Sequence, residues 1–380
     1  MPSKLPGYPK VMHVVLSLSA GGGAESLVRD LMHGQALVAE RPVVCCLQLV
    51  GALGRQLQDE GFSVYCRSKK DGVDLSAIGW LAGVMRRERV EVVHAHQYTP
   101  MFYAVPAAFL AGGAKVIYTE HGRLYPDLRS WKRALLNPFL ALGIEQIISI
   151  SEGTKKAMAE IDNFSEAKIA VIHNGIKPPE PCPVDLRQKR SELGIPEGCR
   201  VIGSAARLEE VKNLPMMLHA FRLIQAEKPG TLLLVAGRGS QEQNLKALAR
   251  ELGIEEQVRF LGLRSDLPDL YRLMEVFLLS SYSEGISLTL LESMSAGVPP
   301  VVTGVGGNPE VVVDGACGYV VPLGDHEAMA GRVLSLLDDE PLCRRFSVSA
   351  RERVLAEFGF DKMLDAYNRL YLGRQQRPAA

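Results

Sequence analysis

No part of this 380-residue chain repeats at a fixed period or is of low complexity, which sets aside solenoids and fibrous folds. The first ten residues, MPSKLPGYPK, are polar and rich in proline. The apolar run after them, VMHVVLSLSAGGG, is too short for a membrane span and carries a histidine, so neither a signal peptide nor a transmembrane helix is expected. Charge of either sign is not in surplus. The 43 basic and 43 acidic residues cancel, so no global field argues for nucleic acid, although a local basic patch stays open. Cysteine is scarce and odd in number: seven, without framework spacing and with Cys45 beside Cys46, which fits a reducing cytoplasm. A dinucleotide fingerprint is missing as well. In GGGAES (21 to 26) Ser26 stands where the third glycine belongs, and in AGRGSQE (236 to 242) Glu242 does, which weakens an oxidoreductase reading.

What is present is a rhythm. The short β-branched runs VMHVVLSL (11 to 18), PVVCCLQLV (42 to 50), VEVVHAH (90 to 96), AKVIYTEH (114 to 121) and EQIISIS (145 to 151) alternate with amphipathic stretches. Near-continuous hydrophobic strands separated by helices predict a parallel sheet covered on both faces. IHNGIKPPEPCPVDLRQ (172 to 188) then reads as a linker, with Asn174 and Gly175 forming a turn at the junction. The rhythm restarts with RVIGSAA (200 to 206), TLLLVAG (231 to 237), VRFLG (258 to 262), VFLLSS (276 to 281), PPVVT (299 to 303) and CGYVVP (317 to 322). The chain is therefore expected to be α/β, with two doubly wound parallel-sheet domains, residues 1–178 and 179–357, facing across a cleft. A helix within 358–380, with Phe360, Leu364, Tyr367 and Tyr371 on one face, is expected to pack back on the first domain.

One stretch poses a chemical question. SEGISLTLLESMSAGVPP (283 to 300) sets Glu284 and Glu292 eight positions apart. On one helix they would lie ~80° apart and ~12 Å along the axis, too far to act as a pair. Ser287, however, is suited to cap a helix that Gly297 stops, which leaves Glu284 on the loop and Glu292 in the second turn. The two carboxylates then flank one ligand lying across the helix start, where the amides of Ile286, Ser287, Leu288 and Thr289 and the positive dipole end suit a diphosphate. The alternative is a turn cap and a solvated glutamate. The glycine-rich turn Gly304 to Gly307 follows directly, bringing a second strand end beside the first.

Further residues point the same way. In AARLEEVKNL (205 to 214), Arg207 lies just past a strand and Lys212 five residues on, cations that could converge on a leaving diphosphate or simply be solvated. Gly22 and Gly23 open a helix expected near Ala24 and permit close approach to phosphate or sugar. His94 and His96 share a strand face and could be two legs of a metal site, but no third ligand stands at metal spacing. His121 ends a strand, as a site residue or as a satisfied structural histidine.

These motifs together, with HNGI (173 to 176), SISE (149 to 152) and GGNPEVV (306 to 312), resemble those of family 4 retaining glycosyltransferases, over residues 11 to about 325 and in the same order. The resemblance implies the GT-B fold. It implies transfer of a sugar from a nucleotide-diphosphate donor to a hydroxyl acceptor, retaining the anomeric configuration, with no metal and no cofactor beyond the donor. It also implies roles. Glu284 would hold donor-sugar hydroxyls, Glu292 the ribose, and Gly285, Ile286, Ser287 and Leu288 the diphosphate. Arg207 and Lys212 would stabilise the leaving group, Gly22 and Gly23 would close over the phosphates, Phe260 and Leu261 would meet the base through their backbone, and His121 would line the anomeric region. Ile286, Ser287 and Pro300 depart from the residues common at those places. The usual setting is bacterial polysaccharide or glycolipid assembly, with a sugar or lipid-linked saccharide acceptor. A nucleotide-sugar epimerase or a non-catalytic scaffold of the same fold is the alternative.

The segment 122–143 gathers Arg123, Arg129, Lys132 and Arg133 with Tyr125, Trp131 and Phe139. It suits either peripheral contact with anionic membrane or a solvated face over a core stripe of Trp131, Leu135 and Phe139, with Pro138 interrupting the helix.

Overall fold

The computed structural model describes residues 7–19, 22–122, 129–178 and 185–374. The chain forms two compact units, Met1–Asn174 with Asp361–Ala380, and Gly175–Phe360.

In the first unit the strands are β1 Val11–Ser17, β2 Val43–Leu49, β3 Ser63–Cys66, β4 Val92–His96, β5 Lys115–Glu120, β6 Gln146–Ser149 and β7 Ile169–Val171. All pair in parallel in the order β3-β2-β1-β4-β5-β6-β7. Every residue of β4 is buried, as expected where helices cover both faces. The two strands with no counterpart in the sequence reading, β3 and β7, are the edges. Each is short, four and three residues, and partly exposed, so neither offers a run long enough to stand out.

The second unit contains β8 Arg200–Ala205, β9 Thr231–Ala236, β10 Val258–Gly262, β11 Val276–Leu279, β12 Pro300–Thr303 and β13 Tyr319–Val321. Their order is β10-β9-β8-β11-β12-β13, again parallel throughout. In both sheets the strand order turns outward from a central pair, β1/β4 and β8/β11, the topological switch point where open α/β sheets hold their ligands. Pro300 opens its strand, a place where a missing N–H is tolerated. A Cβ on Gly318 would lie 2.6 Å from Pro300 O, so the neighbouring strand must reach it through glycine.

The last helix, Phe360–Tyr371, completes the first unit. Tyr367 and Tyr371 are buried, Asn368 accepts a 2.7 Å hydrogen bond from Tyr8, and Gly34 leaves room for Leu364. Where the chain enters and leaves the second unit, Ile176 donates to Phe358 O and accepts from Phe360 N, each at 2.9 Å.

Candidate active site

In the second unit the strand ends of β8 and β11 carry the acidic and basic residues. After β8 the chain passes Arg207, makes a 3-10 turn over Glu210–Lys212, and reverses at Asn213, whose φ of 46° is tolerated by asparagine. Ser280, just beyond β11, donates to the carbonyls of Lys212 and Asn213 at 3.0 and 2.9 Å and so ties this turn to the neighbouring strand. That tie brings Lys212 Nζ within 2.5 Å of Glu284 Oε1, and Ser281 donates to the same oxygen at 2.6 Å. The pair is largely shielded, Lys212 at 15 % and Glu284 at 8 % side-chain exposure. Glu284 Oε2 makes no hydrogen bond among the described residues.

The loop that holds Glu284 is fixed from below. Gly307 N donates to Glu284 O and Gly285 O. Gly306 has φ 51°, and a Cβ there would lie 1.7 Å from Glu284 O, so only glycine allows this approach. Ser287 caps the helix Leu288–Ser295, accepting from Leu290 N, and Thr289 anchors it to β8 by donating to Ala205 O at 2.7 Å. The first-turn amides of such a helix have no intrahelical acceptor and face the strand-end side with the positive dipole end. Glu292 lies in the second turn and accepts a 2.9 Å hydrogen bond from Tyr271. Burial, together with this carboxylate, pushes the Tyr271 hydroxyl well above its usual range, so it stays a donor.

Lys212, Glu284, Gly285, Ile286, Ser287 and Leu288 thus form one group, with Ile286 buried and Glu292 one turn further on. Arg207 is exposed and its guanidinium makes no hydrogen bond or ion pair among the described residues, so it is not gathered with them. Phe260 and Leu261 are half-buried on the edge strand β10, two strands from β8. The sequence motif had singled out neither Ser281 nor Tyr271. Ser281 is three residues from Glu284 and was readable there; Tyr271 comes from a separate segment that carries no signal.

In the first unit, Gly22 precedes and Gly23 begins the helix Gly23–Val38, and Gly21 lies outside the described residues. His121 follows β5, its Nε2 2.8 Å from His96 Nδ1. His94 is not an isolated leg of a metal site. Its ring nitrogens lie 2.7 Å from both Tyr371 Oη and Thr119 Oγ1. A further histidine, His13 on β1, joins the group, 2.9 Å from His96. Burial pushes all four below the ordinary histidine value, His13 and His121 to about 4. His13 was missed because a histidine inside an apolar strand run reads as core.

The basic and aromatic segment differs from one of its two readings. Trp131, Leu135 and Phe139 are not a core stripe: they are 71, 64 and 67 % exposed on the helix Trp131–Leu140. The buried position is Asn137, which accepts from Tyr98 and donates to Asp162 O. Pro138 does not end the helix, because the carbonyl it orphans, Ala134 O, receives Asn163 Nδ2 at 2.9 Å. Arg123 and Tyr125 lie outside the described residues.

Comparison with known proteins gives this geometry a class. A model described as "Glycosyl transferases group 1" matches residues 185–353, and one described as "Glycosyltransferase Family 4" matches 21–179. The fold is matched by the structure of Anabaena Alr3699/HepE in complex with UDP-glucose, with a TM-score of 0.84 and 20 % identity over 97 % of this chain and all of that one. This is the GT-B fold of glycosyltransferases. Among relatives, an N-acetyl-alpha-D-glucosaminyl L-malate synthase of Bacillus anthracis is 30 % identical over 306 residues, covering 78 % of each chain. A UDP-Gal:alpha-D-GlcNAc-diphosphoundecaprenol alpha-1,3-galactosyltransferase of Escherichia coli is 26 % identical over 318 residues, covering 81 % of each. The chain belongs to glycosyltransferase family 4.

Proposed function

We propose that this glycosyltransferase moves a sugar from a nucleotide-diphosphate donor to a hydroxyl acceptor with retention of anomeric configuration, without a metal, in polysaccharide or glycolipid assembly. The observation that carries the reading is the shielded Lys212–Glu284 pair at the capped start of the helix Leu288–Ser295, with Glu292 one turn on. A diphosphate laid across that helix start would meet first-turn amides, the dipole end and the Lys212 ammonium. Glu284 would then take sugar hydroxyls through its open oxygen, and Glu292 the ribose. Arg207 would add its charge as the diphosphate leaves. Gly22 and Gly23 would approach the phosphates, the backbone of Phe260 and Leu261 the base, and His121 the anomeric region. No carboxylate nucleophile is required if the departing diphosphate accepts the proton of the incoming hydroxyl on the same face. The alpha-linked product and the UDP donor in the names of relatives support retention and make UDP-sugars the first donors to test.

The exposed Trp131, Leu135 and Phe139 beside Lys132 and Arg133 support peripheral contact with an anionic membrane that carries a lipid-linked acceptor. No helix among the described residues is long and apolar enough to cross one.

The testing experiment is a thermal-shift panel of nucleotide diphosphates and their sugars. A ligand at ~100 times its dissociation constant should add ~2.7 kcal/mol, and Glu292→Ala should reduce the shift. A panel with no response would remove the donor site. Donor turnover without acceptor would point to an epimerase, and donor binding without turnover to a scaffold. Anomeric proton couplings in the product read out retention.

A further inference from the structure

The buried histidines of the first unit connect head to tail. Gln35 Oε1 lies 3.0 Å from His13 Nε2, His13 Nδ1 lies 2.9 Å from His96 Nε2, and His96 Nδ1 lies 2.8 Å from His121 Nε2. Gln35 and His13 are wholly buried, and His96 is 2 % exposed. At the far end, His121 Nδ1 is shielded and has no hydrogen-bond partner among the described residues.

A neutral imidazole has one N–H and one bare nitrogen, so such a row has only two self-consistent proton arrangements. With the Gln35 carbonyl facing it, His13 donates from Nε2 and its Nδ1 accepts from His96 Nε2–H. His96 Nδ1 in turn accepts from His121 Nε2–H, and the row ends on a bare His121 Nδ1. With the amide reversed, every proton moves to the other nitrogen and the row ends on an N–H. As placed, Gln35 presents Oε1 to His13 and leaves its own buried Nε2 without a hydrogen-bond partner among the described residues; this orientation goes with the first arrangement, the protons themselves being assigned from the network.

We propose that Gln35, His13 and His96 are positioning residues that lock His121 as its Nε2–H tautomer, so that His121 Nδ1 accepts a hydrogen bond from a hydroxyl of the donor sugar. The second half rests on the donor-site reading above. A shielded acceptor without a partner is a deficit that such a hydroxyl would satisfy. Burial keeps the row neutral at pH 7, which the tautomer argument requires.

The same rings invite a metal reading, because one nitrogen from each of His13, His94 and His96 lies within 4.8 Å of the others. All six nitrogens are already engaged, however: those of His94 with Tyr371 and Thr119, and those of His13 and His96 along the row. Among the described residues no carboxylate joins the cluster that would offset an ion's charge.

The test is long-range proton–nitrogen correlation on protein labelled with nitrogen-15 histidine, at pH 7 without ligand, resonances being assigned with single histidine-to-glutamine variants. His13, His96 and His121 should all appear as Nε2–H tautomers. In Gln35→Met, His121 should become a mixture and kcat/KM for the donor should fall about tenfold, the worth of one hydrogen bond. Wild-type His121 as the Nδ1–H form or as imidazolium overturns the lock, and so does an unchanged tautomer in a folded Gln35→Met. The wild-type spectrum decides even if that variant does not fold. Resonances of the cluster that move on adding EDTA overturn the row in favour of a metal centre. Adding UDP-sugar should shift His121 Nδ1. If the tautomers are as expected and no donor that binds moves that nitrogen, the lock stands and its target is overturned, a failure of the donor placement rather than of the row.

Discussion

At the scale of single residues, Lys212 is held on Glu284 at the capped start of the helix Leu288–Ser295. If Lys212 stabilises a leaving diphosphate, Lys212→Met should lower kcat by roughly 10²- to 10³-fold with a smaller change in donor KM, as measured by steady-state kinetics. Glu284, Glu292 and Lys212 stood in motifs whose spacing suited a loop, a capped helix and a cation past a strand end, and the capped helix and the Lys212–Glu284 pair are there. Tyr271, Gln35 and His13 were not legible, because each reaches its partner through tertiary packing that no local spacing encodes. The histidines give a pH signature. His13 and His121 are held at about 4 against an ordinary 6.5, so the folded chain binds fewer protons than the unfolded chain between those values. Their full contribution is present above about pH 6.5 and is lost as pH falls toward 4, on the order of 3 kcal/mol for each. Denaturant unfolding at pH 7.5 and pH 5 should show the loss, and His13→Phe should flatten it; an equal slope in wild type and variant would count against it.

Among the elements, strands buried on both faces announced themselves, since β9 and β11 are near-continuous apolar runs. The edge strands β3 and β7 of the first sheet did not, being only four and three residues long, whereas the edges β10 and β13 of the second did. The helix Trp131–Leu140 shows the limit of periodicity from the other side. Its apolar stripe has helical spacing, yet a pattern cannot say whether the apolar face turns toward the core. Here the hydrogen bonds of Asn137 to Tyr98 and Asp162 O outweigh it and turn Trp131, Leu135 and Phe139 outward. Such a face beside Lys132 and Arg133 should carry the chain onto anionic vesicles. Co-sedimentation with phosphatidylglycerol liposomes should be lost in Trp131→Ser/Phe139→Ser and weakened by salt, whereas neutral vesicles should not retain the protein. Equal sedimentation of variant and wild type would assign the stripe another role.

For the whole molecule, the two-unit α/β architecture followed from the strand rhythm and the proline-rich interruption near residue 180. The discontinuity of the first unit is the feature with the widest reach. Its helix Phe360–Tyr371 lays Tyr367 and Tyr371 against Thr119 and His94 and covers Gly34 with Leu364. Ending the chain at Gly359 should therefore destabilise the first unit by several kcal/mol, as expected for removing large buried side chains, and should expose a surface that binds a hydrophobic dye. A first unit that unfolds unchanged would show that the helix only rests on it. For a chain emerging from the ribosome, the first unit is synthesised early and closed last. Its inner face stays open while the second unit is translated, on the order of ten to forty seconds at ~5–20 residues per second. During that interval His94 and Thr119 lack the tyrosines that cover them and the apolar bed of the last helix is bare, which would make the newborn first unit a client for holding chaperones until its final helix arrives.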